Sequence, residues 1–218
     1  LVYGEGEAGV DRLLSETTER ARAFAERYAG KLERIESAEL ERAMLELAEI
    51  QDMLGRAASY AGLLFSTDTA DPARGALLQR TQERATEIET KLLFFDLEWA
   101  ALDDARAEEL LADEGLDFCR HHLRSARRYR PHLLTEPEEK ILSEKSISSE
   151  SAWGRLFGEL VSALRVELDG DQIPLEVALS RLQAPDREER RAAAEAVTHT
   201  LEPGLRTRAF IYNTLIYD

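Results

Sequence analysis

Apolar residues recur every three or four positions along most of this chain, the period of an amphipathic helix. A first helix is predicted from about Val10 to Tyr28, with Ala29 and Gly30 ending it. A second is predicted after Ser37, a natural N-cap, on the stripe Leu40, Ala43, Leu47, Ile50, Leu54, Ala57, Ala61 and Leu64. At ~1.5 Å per residue that stripe runs about 37 Å. Beside it Gly55, Ala58 and Gly62 are small enough to admit a second helix closely. Ser66 to Pro72 read as a loop, with Asp71 as N-cap and Pro72 at the first helical position. The third helix carries Leu77, Thr81, Ala85, Ile88, Leu92, Phe95, Trp99 and Leu102. Its short link to the second implies an antiparallel pair.

Beyond Asp103 the periodic segments shorten. Two helical stretches separate near Asp113–Gly115, and Pro131 stops the second. Thr135 and Glu138 have capping-box spacing. Ser148 and Ser149 precede a helix through Trp153, Leu156, Phe157 and Leu160. The period then changes to two. Leu164, Val166 and Leu168 alternate with polar neighbours, Asp169-Gly170 supplies the turn, and Ile173 resumes on the far side, a hairpin signal. Asp186 and Glu189 cap a helix to about Leu201, Pro203-Gly204 breaks it, and a last helix runs to the end. The expected fold is mainly α: an antiparallel long-helix bundle with one short β-hairpin near residues 164–174. Residues 1–130 form the long-helix region. Residues 131–218 hold the short helices, hairpin and terminal helices, continuous with it.

The last helix changes the picture. Phe210, Ile211, Tyr212, Leu215, Ile216 and Tyr217 leave it apolar on nearly every side, and such a helix belongs inside a larger body. With no initiating Met, this suggests a chain cut from something longer, and Phe210, Ile211, Leu215 and Ile216 are candidates for self-association. The 218 residues carry a net charge of −15, which disfavours nucleic acid and anionic membranes as partners. Hydrophobic residues make up 44%, enough to fill a core, so disordered and collagen-like classes are excluded. A single Cys excludes a disulfide framework and fits a reducing, cytoplasmic setting. Leu1 to Val10 lacks the apolar stretch of a secretory signal.

Candidate chemistry is sparse. The sequence contains no HExxH, no Glu-x-x-His pair, no phosphate-binding glycine loop and no G-x-S-x-G elbow. Cys119 and His122 fall one helical turn apart, as half of a metal site or an activated thiol, against the simpler reading of a buried Cys beside a surface His. Glu195, His199 and Glu202 share a helical face, where an ion pair competes with a ligand set. A basic cluster of Arg120, His121, His122, Arg124, Arg127, Arg128, Arg130 and His132 is suited to a peptide carboxylate or phosphate. It is equally suited to pairing with Glu136, Glu138, Glu139 and Glu144 downstream. Phe94, Phe95 and Trp99 read as core packing, with Asp96 and Glu98 pointing outward or capping polar groups. No residue is singled out as catalytic, cofactor-binding or metal-ligating.

Several segments together resemble a known family. They are 94–99 (FFDLEW), 130–145 (RPHLLTEPEEKILSEK), 152–157 (AWGRLF) and 185–190 (PDREER), with the Thr67-Asp68-Thr69 loop and the closing Asn213-Thr214-Leu215 helix. The run is similar to the N-terminal part of oligoendopeptidase F, in the thimet-oligopeptidase-like family of zinc metallopeptidases. The resemblance implies a mostly helical enzyme whose halves enclose a channel for short, unfolded peptides. It implies zinc in the parent enzyme, held by HExxH and a later Glu in the C-terminal half, with the motif's Glu as general base. None of those positions falls in this sequence. The chain is therefore expected to be one wall of the channel, inactive alone, with the C-terminal catalytic domain as missing partner. A free-standing helical interaction module, or one chain of a split peptidase, is the alternative.

Overall fold

The computed structural model describes residues 4–69 and 71–217. Expectations touching Leu1–Tyr3, Ala70 and Asp218 lie outside the described residues. The chain divides into two compact units. One comprises the described part of residues 1–67 with 73–145, the other 68–72 with the described part of 146–218.

The first unit is built on three long helices: α1 (Gly6–Tyr28), α2 (Ser37–Thr67) and α3 (Pro72–Ala101). Shorter helices α4 (Asp104–Leu111), α5 (Arg120–Arg127) and α6 (Glu136–Ser146) follow. Ion pairs fix the directions. Arg27, late in α1, reaches Glu46, early in α2, while Gly6 lies opposite Tyr60, so α1 and α2 run antiparallel. Contacts between α1 and α3 advance together, from Glu7–Arg80 through Phe24–Phe95 to Leu32–Glu98, so those helices run parallel. The antiparallel relation of α2 and α3 follows.

The α2 stripe is buried as its spacing predicts, from Leu40 to Ala61. Ser37 is the first helical residue rather than the cap, because the Glu36 carbonyl already accepts the amides of Glu39 and Leu40. The small-residue stripe takes no helix: Gly55 and Ala58 are exposed, and nothing lies within 4 Å of a Cβ built on Gly55 or Gly62. The neighbouring helices seat on the adjacent, bulkier stripe, where more apolar area leaves water. Phe24 sits at the core's centre, its ring 4.8 Å from Tyr28, 6.0 Å from Phe94 and 5.6 Å from Phe95.

The second unit contains α7 (Glu150–Ser162), β1 (Arg165–Leu168), β2 (Asp171–Pro174), α8 (Leu175–Ser180), α9 (Arg187–Leu201) and α10 (Leu205–Tyr217). The strands pair antiparallel with Val166 opposite Ile173. Asp169 and Gly170 take φ of 55° and 88°, the left-handed pair that a two-residue hairpin turn requires. A lone hairpin is marginal, and this one is anchored: Val166 is fully buried against Leu175, Ala178 and Val197. Asp186 caps α9 by accepting the Glu189 amide at 2.9 Å. The terminal helix is largely uncovered. Phe210, Tyr212, Ile216 and Tyr217 are exposed and Leu215 is half-buried. Ile211 departs from expectation, because it alone in α10 turns inward and is buried, so it is unavailable to a second chain.

Candidate functional site

The C-terminal end of α3 is where the unusual chemistry of the first unit collects. Trp99 is fully buried, and its indole N–H donates to the Leu123 carbonyl at 2.9 Å. Arg127 returns the tie, donating to the carbonyls of Trp99 at 2.6 Å and Leu102 at 2.7 Å. These are carbonyls a helix end leaves unpaired. Arg127 also pairs with Asp104, which Arg130 reaches at 3.1 Å. The hydrogen bond from Arg127, with the charge of Arg130, holds the Asp104 carboxyl below the usual carboxylate range.

One turn before the end of α3, Glu98 reaches across to the α1–α2 connection. Its carboxylate accepts the Gly30 amide at 2.6 Å and the Leu32 amide at 3.3 Å. Gly30 has φ of 74°, which a Cβ would strain, and that geometry aims its N–H at α3. Glu98 thus takes the second of its two expected roles and caps polar groups, and Phe94, Phe95 and Trp99 are buried in the core.

Two adjoining cavities open beside Glu98. One, of about 580 Å³, is bordered by Glu33, Asp103 and Arg106 over Gly30, Ala101 and Leu102. The other, of about 360 Å³, is bordered by Leu97, Leu133, Leu134, Arg130 and Glu136. Glu98 and Ala101 line both. Sequence reasoning missed this place. Glu33, Asp103 and Arg106 meet only after the chain has turned back twice, and the one available signal was an acidic residue set inside an aromatic stretch.

The other candidates separate. Cys119 is buried and bonded to the Leu116 carbonyl, and burial pushes its thiol up, away from reactivity. His122 is exposed, with Asp96 as its electrostatic neighbour. Glu195 pairs loosely with Arg191 at 3.8 Å, and His199 and Glu202 are exposed. Four arginines of the basic cluster are paired inside their own unit, on other partners than the downstream acids. Arg120 pairs with Asp117, Arg124 with Glu108, and Arg127 and Arg130 with Asp104. Glu136 and Glu138 serve α6 instead, the first on Lys140 and the second on the Thr135 amide at 2.9 Å. Among the described residues no three His, Cys, Asp or Glu side chains gather in a group that could hold a metal.

Residues 98–165 match the family model described as oligopeptidase F. The match runs from Glu98 through α4, α5, α6 and α7 into β1. The chain resembles the N-terminal region of an oligoendopeptidase F-type peptidase. Its fold is that of oligoendopeptidase-F from Enterococcus faecium, with a TM-score of 0.77 at 22% identity, over 95% of this chain and 41% of that one. A structure from Chlamydophila abortus aligns at a TM-score of 0.49 and 22% identity, over 82% of this chain and 31% of that chain. Curated proteins give no match. The chain therefore spans under half the length of the Enterococcus faecium protein. No helix among the described residues is long and apolar enough to cross a membrane.

Proposed function

We propose that this chain is the non-catalytic N-terminal part of an oligopeptide-hydrolysing zinc metalloendopeptidase and forms one wall of its substrate channel. The match of residues 98–165 to oligopeptidase F carries the reading, and the helical fold shared over 95% of the chain supports it. In this reading zinc chemistry belongs to a C-terminal catalytic part that HExxH would mark, and no catalytic step falls to the residues described above. The wall's substrates are short peptides.

The second unit supplies the partner surface. Trp153 of α7 meets Phe210 of α10 edge-on, with ring centroids 5.9 Å apart. Leu156, Phe157 and Leu160 on α7, with Phe210 and Ile216 on α10, stay exposed. So many large apolar side chains are seldom left in water on a monomer. They are the face on which the catalytic part docks, and through which the chain alone self-associates. The lone, buried Cys119 suits a reducing, cytoplasmic setting. Reading the coding sequence past Asp218 tests the proposal. An in-frame helical segment with HExxH is expected, and a stop codon directly after Asp218 overturns it.

A further inference from the structure

Among the described residues Asp169 is the one non-glycine with a positive φ, 55°, a left-handed conformation that strains an L-residue. Gly170 follows it, and no other Asp of the sequence precedes a glycine. Both are exposed at the tip of the hairpin, and nothing lies within 4 Å of a Cβ built on Gly170. The Asp169 carboxylate has no hydrogen bond or ion pair among the described residues, and the Gly170 N–H donates to no carbonyl. The side-chain carboxyl carbon and the next residue's amide nitrogen, whose bonding closes a cyclic imide, are thus both free. The buried anchor of the hairpin, Val166 opposite Ile173, lies further in. The Leu168–Asp171 pair and the turn can therefore open without moving it.

We infer that Asp169 is a site of spontaneous isoaspartate formation, a main-chain modification that needs water alone. The Gly170 nitrogen gives up its proton and bonds to the Asp169 side-chain carboxyl carbon, and the carboxyl hydroxyl leaves with that proton as water. Water then opens the resulting succinimide. Attack at the side-chain carbonyl restores aspartate. Attack at the main-chain carbonyl breaks the original bond to Gly170 and leaves the chain running through the side chain, with a free α-carboxylate. One water is lost and one regained. Glycine has no side chain to hinder the closure, whereas Asp171 is followed by Gln172, and Asp71 by Pro72, which has no N–H. The product adds a methylene to the main chain of a two-residue turn, which then no longer holds the Leu168–Asp171 register.

Incubating the full chain in heavy-oxygen water at neutral pH, then digesting it with trypsin in ordinary water, tests the assignment. Peptide 166–181, bounded by cleavage at Arg165 and Arg181, should gain a heavy oxygen and split into two chromatographic forms of one sequence. Fragmentation should place isoaspartate at Asp169 and not at Asp171. A carboxyl methyltransferase specific for isoaspartate, given its methyl donor, should label the aged chain and not the fresh one. Asp169→Glu should lose both signals, because its longer side chain must close a larger ring. Asp169→Asn reaches the same imide with ammonia as the leaving group and should convert severalfold faster. In the aged chain amide protection should fall at Asp171 while the unfolding midpoint holds, since Val166 stays buried. No heavy oxygen in 166–181, isoaspartate at Asp171 instead, or methylation undiminished in Asp169→Glu overturns the assignment.

Discussion

Arg127 donates to the carbonyl of Trp99 at 2.6 Å while its guanidinium carbon lies 5.7 Å from the centre of the same residue's indole ring. One side chain caps the C-terminal end of α3, stacks on its last large residue and joins it to α5. The Arg127 side chain is 12% exposed, so little of this is lost to solvent. Arg127→Ala should therefore destabilise the chain by about 2–3 kcal/mol, because it strands two carbonyls as well as removing an ion pair. Arg127→Lys should recover only part of the loss, since an ammonium cannot fork onto two acceptors and stack. Urea unfolding followed by far-ultraviolet circular dichroism measures both.

Glu98 ties the end of α3 to the turn between α1 and α2. Replacing it with Ala leaves the Gly30 and Leu32 amides without their acceptor and should cost about 2 kcal/mol. Glu98→Gln keeps one carbonyl oxygen and should cost about 1 kcal/mol. Amide hydrogen exchange locates the effect: protection should fall at Gly30 and Leu32 and hold within β1 and β2.

Acid should loosen the first unit through Asp104 and Glu108. Hydrogen bonds from Arg127 and Arg124 lower these two carboxyls below their ordinary values. Their contribution is present above the unfolded carboxylate range of about 4 and disappears as pH falls through the lowered folded values. Asp96 and Glu89 work with the opposite sign, because desolvation raises both. Charging them costs stability, and protonation on acidification relieves that cost as pH falls through the raised values. The urea midpoint should fall below about pH 4. Asp104→Asn should flatten that fall, and Asp96→Asn should steepen it.

The terminal helix separates two kinds of apolar residue. Phe210→Ser with Ile216→Ser should lower self-association in sedimentation velocity and leave the unfolding midpoint nearly unchanged, since both side chains are exposed. Ile211→Ser should do the reverse, lowering the midpoint with little effect on association, because Ile211 is buried.

Much of the fold was legible because helical period and turn chemistry are local. The stripe from Leu40 to Ala61 and the Asp169-Gly170 turn each state their geometry within a few residues. What was not legible depended on distant segments. The basic cluster was read as free for a carboxylate or phosphate, or else paired downstream, yet Arg124 finds Glu108 and Arg127 finds Asp104, both upstream, once α4 and α5 fold together. The open face of Gly55 and Ala58 was set by which side of α2 its neighbours chose, a matter of area buried rather than of closeness permitted. Ile211 likewise reads as one more member of an all-round apolar helix until packing singles it out. The cavities beside Glu98 were missed for the same reason, being assembled from both ends of the first unit.

Hydrolysis of an internally quenched peptide by the purified chain, with zinc added, tests the central claim most directly. A scaffold without its catalytic part should give no turnover above buffer at any zinc concentration. Robust turnover that a chelator abolishes, surviving repurification and lost on His122→Ala or His199→Ala, would contradict it.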